Sequence, residues 1–292
     1  MAPSSSPILL PLYQYLLLVS SFAQAGRLLV VPMDGSHWFT MHLVIKKLIE
    51  RKHEVVAVMP EVSWHMGQSM NFTVKHYATS YALEELNREL KIFTDAAWER
   101  KEENMFHTLV FTKKGLDMLF SHCRSLFNNK TLVEYLEETH FDAVFMDPME
   151  PCGLIVTKYL SLPSVILTRG LYCHSIEEGT QCPAPPSYVP RILSQFSDAM
   201  DFKGRVQNYI ARFGEHLICP YYFKKVLEIA SDILQTPVTA YDLFSHTSIW
   251  LLRTDFVFDY PKPVMPNMVF VGGISCHKGK PLAEVRSLSF AM

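Results

Sequence analysis

Among the 12 histidines of this 292-residue chain, His37 stands where a base could act. It follows a short apolar run, Arg27 to Met33 (RLLVVPM), and the turn Asp34-Gly35-Ser36. A second run, Phe141 to Asp147 (FDAVFMD), ends in a carboxylate. If both runs are strands of one parallel sheet, His37 and Asp147 share its carboxyl edge, where open α/β sheets bind ligands. Imidazole accepts a proton near neutral pH. A carboxylate on its other nitrogen fixes the tautomer and stabilises the imidazolium that forms. Such a pair could activate an alcohol or phenol hydroxyl for attack. The alternative is a packing histidine and an ordinary strand-ending turn at Asp147-Pro148.

Two other chemistries fail on their patterns. Asp34-Gly35-Ser36 is not G-x-G-x-x-G, and no P-loop follows any strand, so no phosphate cradle is evident. Ser36 beside His37 invites a hydrolase reading, but G-x-S-x-G is absent and neighbours on one backbone seldom meet as nucleophile and base. No zinc-type Cys/His spacing occurs, and no metal is expected.

The elements that must position the pair follow βαβ grammar. Met41, Val44, Ile45, Leu48 and Ile49 recur at the spacing of a helix lying on a sheet. Glu54 to Met59 (EVVAVM) supplies the next strand, and a crossover of this length implies parallel pairing and a right-handed connection. Helical stretches at Thr131 to Glu138 and Gly153 to Leu160 flank the Asp147 strand. Further strands are expected at Ser164 to Thr168, Ile249 to Arg253 and Met268 to Val271. The pattern predicts a doubly wound parallel α/β sheet. Two less regular regions, Leu83 to Phe127 and Cys182 to Ala230, read as excursions above the sheet, where ligand sites are usually shaped.

Composition bounds the partners. The chain is 49% hydrophobic and 19% charged, with a formal net charge of -2, so it can bury a sizeable core. It has no basic block with which to grip nucleic acid. Ile8 to Val19 is an interrupted apolar run, and Ala23-Gln24-Ala25 has the small-x-small form of a signal-peptidase site. Residues 1–25 therefore read as a cleaved signal peptide rather than a membrane anchor, which needs roughly 20 apolar residues. No later segment reads as a transmembrane anchor. Asn71-Phe72-Thr73 and Asn129-Lys130-Thr131 are glycosylation sequons suited to a secretory compartment. The six scattered cysteines are expected to be mostly buried free thiols, with room for one bridge.

At these residues the chain resembles the N-terminal half of the UDP-glucuronosyltransferases, and the phenol-conjugating branch of their first subfamily in particular. The resemblance rests on LLVVPMDGSHWFTM (Leu28 to Met41), FDAVFMDPMEPCGLIVTKYLSLPSV (Phe141 to Val165), EEGTQCPAPPSYVPRIL (Glu177 to Leu193), LQTPVTAYDLFSHTSIWLLRTDF (Leu234 to Phe256) and DYPKPVMPNMVFVGGISCHKGKP (Asp259 to Pro281).

The resemblance implies the N-terminal domain of a two-domain GT-B type glycosyltransferase, binding a lipophilic or phenolic acceptor over about residues 26–281. It implies His37 as base, Asp147 as its partner, and Gly35 and Ser36 facing the donor. Trp38 and Phe39 would shape the acceptor pocket. UDP-glucuronic acid would be the co-substrate, with no resident cofactor, in the lumen of the endoplasmic reticulum. After Pro281 the chain reads LAEVRSLSFAM, where the family continues into a donor domain and a membrane helix. The expectation for residues 282–292 is a divergent tail. The chain alone is expected to be inactive, an alternative role being to pair with full-length family members and modulate them.

Overall fold

The computed structural model describes residues 25–66, 71–98, 105–171, 173–191, 194, 196–255, 257–276 and 279. The apolar segment expected to be a signal peptide, the charged stretch 100–103 and the tail from 282 lie outside the described residues.

The chain runs β1 (Arg27–Val31), α1 (Ser36–Glu50), β2 (Glu54–Pro60) and β3 (Thr73–Tyr77), then helices α2 (Leu83–Trp98), α3 (Met105–Asn128) and α4 (Lys130–Glu138). It continues through β4 (Ala143–Met146), α5 (Pro151–Tyr159) and β5 (Ser164–Thr168). Helices α6 (His174–Thr180), α7 (Phe202–Leu234) and α8 (Ala240–Phe244) precede β6 (Thr247–Leu252) and β7 (Met268–Phe270). The seven strands form one sheet in the order β3-β2-β1-β4-β5-β6-β7, with every neighbouring pair parallel. This is the expected doubly wound sheet. Its order reverses between β1 and β4, whose chains continue to opposite sides of that point.

The strands are apolar on both faces because both faces are covered. Leu29, Val31, Val56, Val58, Val144 and Met146 point into one hydrophobic layer, closed by α3, α5 and α7. Val30, Val55, Ala57, Met59 and Phe145 point into the other, closed by Trp38, Met41 and Ile45 of α1. The period-2 alternation thus divides one continuous apolar run between two cores.

Two features depart from the sequence reading. Strand β3 was not anticipated: Thr73-Val74-Lys75-His76-Tyr77 carries polar side chains, which an edge strand tolerates. The cysteines form two bridges, Cys123–Cys152 and Cys173–Cys219, leaving Cys182 and Cys276 free. This corrects the expectation of mostly free thiols. Each bridge spans elements brought together only by the fold: α3 to the start of α5, and the residue before α6 to the middle of α7.

Helix α7 has no polar face to announce it. Val226, Ile229 and Phe223 are buried, while Phe202, Tyr209, Ile210, Phe213 and Leu217 are exposed on another side.

Two glycines behave oppositely under substitution. A Cβ on Gly179 of α6 would come within 2.6 Å of Phe244 Cβ in α8, so Gly179→Ala forces the helices apart. Gly214, inside α7, has nothing within 4 Å of such a Cβ. Gly179→Ala should lower the unfolding free energy by about 1–3 kcal/mol, whereas Gly214→Ala should raise it by about 0.5–1 kcal/mol. Urea denaturation of the two variants checks the opposite signs.

Candidate active site

The pair singled out from the sequence meets. His37 Nδ1 lies 2.6 Å from Asp147 Oδ2 across 110 residues of chain. His37 is the second residue of α1, in the crossover after β1, and Asp147 is the first residue past β4. The two strands are adjacent at the reversal of strand order, so their exits face one crevice. Asp147 is 3% exposed, and its second oxygen, Oδ1, accepts the Met149 backbone N–H at 2.9 Å. A carboxylate is only an acceptor, so the short contact requires His37 Nδ1 to carry the hydrogen. That leaves Nε2 with its lone pair, on a ring still partly exposed.

The backbone that carries His37 is shaped by two neighbours. Gly35, the residue before α1, has φ 70°, a left-handed value that costs a non-glycine residue strain. Asp34 holds the loop through three backbone donors: its own neighbour Gly35 at 2.6 Å, Trp64 at 2.5 Å and His65 at 3.2 Å. The segment after β2 is thereby tied to the segment after β1. No side chain caps α1, so its first N–H groups stay open toward the crevice. Arg169, just past β5, donates from Nη2 to Ser36 Oγ at 3.0 Å and places a guanidinium on the same rim.

The Asp147 loop is held from below. Glu150 caps α5 by accepting the Cys152 N–H, and the same oxygen, Oε1, accepts from His122 Nε2 at 3.1 Å. His122 Nδ1 in turn accepts the hydroxyls of Tyr77 at 3.3 Å and Tyr81 at 3.5 Å. All four residues are buried. Burial, and then the charge of Glu150, push both phenols up, which keeps them as donors. Cys123, next to His122, is bonded to Cys152, next but one to Glu150. Helix α3 therefore clamps the segment from Asp147 to Cys152 by a buried hydrogen bond and a covalent bridge.

Other named residues are placed as follows. Trp38 is buried in the layer under α1, with its ring centroid 5.5 Å from that of His42. Phe39 is exposed against His65, at a centroid distance of 5.0 Å. Asn71 is exposed just before β3. Asn129 caps α4, its side chain accepting the Leu132 N–H at 3.1 Å. Tyr222 of α7 carries no signal in the sequence, one tyrosine among 13. Its hydroxyl is buried with no hydrogen-bond partner among the described residues, and burial followed by the charge of Asp147 pushes the phenol up. A pocket of about 190 Å³ opens beyond β5, lined by Gly170, Leu171, Cys182, Pro183 and Val264 among others, and neither His37 nor Asp147 lines it.

The structure is an open parallel α/β sheet with an imidazole held by a carboxylate at its carboxyl edge, the edge at which such sheets bind small molecules. The family follows from the sequence. Residues 26–288 match the family model of UDP-glucoronosyl and UDP-glucosyl transferase, and the chain belongs to that family. It is 66% identical over 275 residues to UDP-glucuronosyltransferase 1A7 of Homo sapiens, covering 94% of this chain and 52% of that protein. It is 65% identical over 274 residues to the 1A9 enzyme of Homo sapiens, at 94% and 52% coverage. Against the 1A8 enzyme of Rattus norvegicus the identity is 59% over 285 residues, covering 97% and 54%. The chain thus spans about half the length of the curated relatives it matches.

The clamp makes a direct prediction. Glu150→Ala leaves the buried His122 N–H without an acceptor and α5 without its cap. The unfolding free energy should fall by about 1–3 kcal/mol, read by urea denaturation. A change within about 0.5 kcal/mol, the range of ordinary surface substitutions, would show that the His122 contact does not hold the loop.

Proposed function

We propose that this chain is the acceptor-binding half of a UDP-glucuronosyltransferase, and that His37, oriented by Asp147, is its general base. The observation that carries the reading is the 2.6 Å contact between His37 Nδ1 and Asp147, at the reversal point of a parallel sheet, in a chain of this family. An acceptor hydroxyl, phenolic or alcoholic, would sit against His37 Nε2. As its oxygen attacks the anomeric carbon of UDP-glucuronic acid, its proton passes to Nε2, the new C–O bond forms on the face opposite the departing UDP, and the configuration inverts. Asp147 stabilises the imidazolium through Nδ1–H.

The donor-facing side of the crevice has the appropriate sign. The uncapped N-terminus of α1 after Gly35 directs its dipole at the crevice, and Arg169 adds a charge beside Ser36. Both favour the anionic groups of a nucleotide sugar. For the acceptor side, Phe39 and the region around His65 supply an exposed aromatic edge, and the buried Tyr222 hydroxyl, which has no hydrogen-bond partner among the described residues, supplies a donor.

The proposal includes compartment. The apolar segment at 8–19 and the sequons at Asn71 and Asn129 fit entry into the endoplasmic reticulum lumen, and the two bridges fit an oxidising compartment. Among the described residues no helix is long and apolar enough to cross a membrane. Asn71 is the more accessible acceptor for a glycan, since the Asn129 side chain is engaged as a helix cap. Glycosidase treatment of material from secretory cells should therefore increase gel mobility, and Asn71→Gln should abolish most of that shift. Unchanged mobility on treatment would rule out use of either sequon.

The base role is tested by joining the chain to the C-terminal half of a full-length relative and measuring turnover of simple phenols. His37→Ala should lower kcat by about 10²–10⁴-fold. Asp147→Asn should lower kcat in the same direction with little change in acceptor KM, because it acts through the histidine. A loss of less than about tenfold for His37→Ala, roughly 1.4 kcal/mol, would contradict the assignment.

A further inference from the structure

A second cluster of ligating groups lies away from the crevice, where α6 meets α7. His174 opens α6 and Glu178 follows it at i+4, so both project from one side of that helix. His216 comes from α7, and the His174 and His216 ring centroids are only 3.9 Å apart, at an interplanar angle of 40°. One donor atom from each of His174, Glu178 and His216 lies within 4.8 Å of the others. We propose that these three side chains bind a divalent transition-metal ion, zinc foremost, which cross-links α6 to α7.

No short Cys/His spacing announces this site in the sequence, because the third ligand comes from another helix. Three observations point to an ion rather than to chance packing. First, His174 is 7% exposed, and its Nδ1 is buried with no hydrogen-bond partner among the described residues. A buried ring nitrogen lacking a partner is a group that requires explanation. Second, the Cys173–Cys219 bridge joins the residue before His174 to a residue one turn beyond His216. That staple fixes the two imidazoles relative to one another before any ion arrives, the condition under which metal sites are selective. Third, the local charge suits a cation. Glu177 and Glu215 both pair with Arg191, and Arg212 also acts on Glu177; with the adjacent Glu178, three carboxylates stand here against two guanidinium groups.

The donor set decides the class of ion. Two imidazoles and one carboxylate suit zinc and its neighbours, and leave a fourth position for water. Tetrahedral bonds of about 2.0–2.2 Å require the ligand atoms to draw somewhat closer together. His216 and Glu178 are both exposed, so their side chains can turn inward, and the ion can enter from solvent. Another cluster of potential ligands among the described residues, His122, Cys123, Glu150 and Cys152, offers no thiolate because its two sulfurs are bonded to each other. Glu177, adjacent to the proposed ligand Glu178, lines the pocket of about 190 Å³ together with Arg191. A metal clip at this joint would stiffen one wall of that pocket.

The test uses the full 292-residue chain with its bridges intact and the free thiols of Cys182 and Cys276 alkylated, so that they cannot contribute. Zinc chloride alone is the probe, with bound metal counted after equilibrium dialysis and the melting temperature followed as zinc is added. The parent should retain one equivalent and melt higher with zinc. The variant E178Q/H216A, changed only at exposed positions, should retain none at the concentration that saturates the parent, and should show no zinc-dependent rise. Should that variant fail to fold, His216→Gln alone gives the same reading. Failure of the parent to bind zinc, or equal retention by parent and variant, would overturn the proposal. Neither readout involves glycosyl transfer, so the result stands apart from the catalytic reading.

Discussion

The reversal of strand order between β1 and β4 is the constraint from which the site follows. A parallel strand hands its chain to the carboxyl edge, and a right-handed crossover returns it on one side of the sheet. At β1 and β4 the returns diverge, so a crevice opens where two adjacent strands end. Residues 110 positions apart then sit within one hydrogen bond. His37 and Asp147 need no local motif because the topology supplies their proximity. Hydrophobic burial on both faces of the sheet, divided between the two layers, holds that topology in place.

Proximity alone does not orient an imidazole, and the surrounding contacts supply the orientation. On one side Gly35 adopts a left-handed conformation while Asp34 gathers three backbone donors, fixing the start of α1. On the other, His122 and the Cys123–Cys152 bridge anchor the segment running from Asp147 to α5. The His37 ring is therefore positioned by two loops, each secured to a part of the structure outside the crevice. Such support matters because misplacement of a catalytic group by about 1 Å can cost on the order of 10²-fold in rate.

Much of this was legible in the sequence, for a physical reason. Strands buried on both faces must be apolar throughout, so RLLVV, EVVAVM and SVILT stand out against any background, and the ends of such runs mark where ligand-facing residues must lie. His37 and Asp147 could be placed on one rim from that alone. Strand β3 was obscured because an edge strand keeps Lys75 and His76 in its pattern. Helix α7 was blurred because apolar residues cover both a buried and an exposed side. The disulfide partners and the His122–Glu150 pair were hidden for a different reason. Their members lie on separate elements, and single residues of common types carry no signal until the packing of α3 is known. Asp34 reads as a turn residue, and its bonds to Trp64 and His65 depend on a loop after β2 that has no periodicity of its own.

The central claim is that Asp147 holds the hydrogen of His37 on Nδ1 and leaves Nε2 free to accept a proton. Long-range proton–nitrogen NMR of the histidine-labelled chain reads this directly, with His37 assigned by its disappearance in His37→Gln. At a pH where the ring is neutral, His37 should show a protonated Nδ1 and an unprotonated Nε2, and that preference should be lost in Asp147→Ala. A neutral ring protonated on Nε2, or a tautomer unchanged by removal of Asp147, would contradict the account.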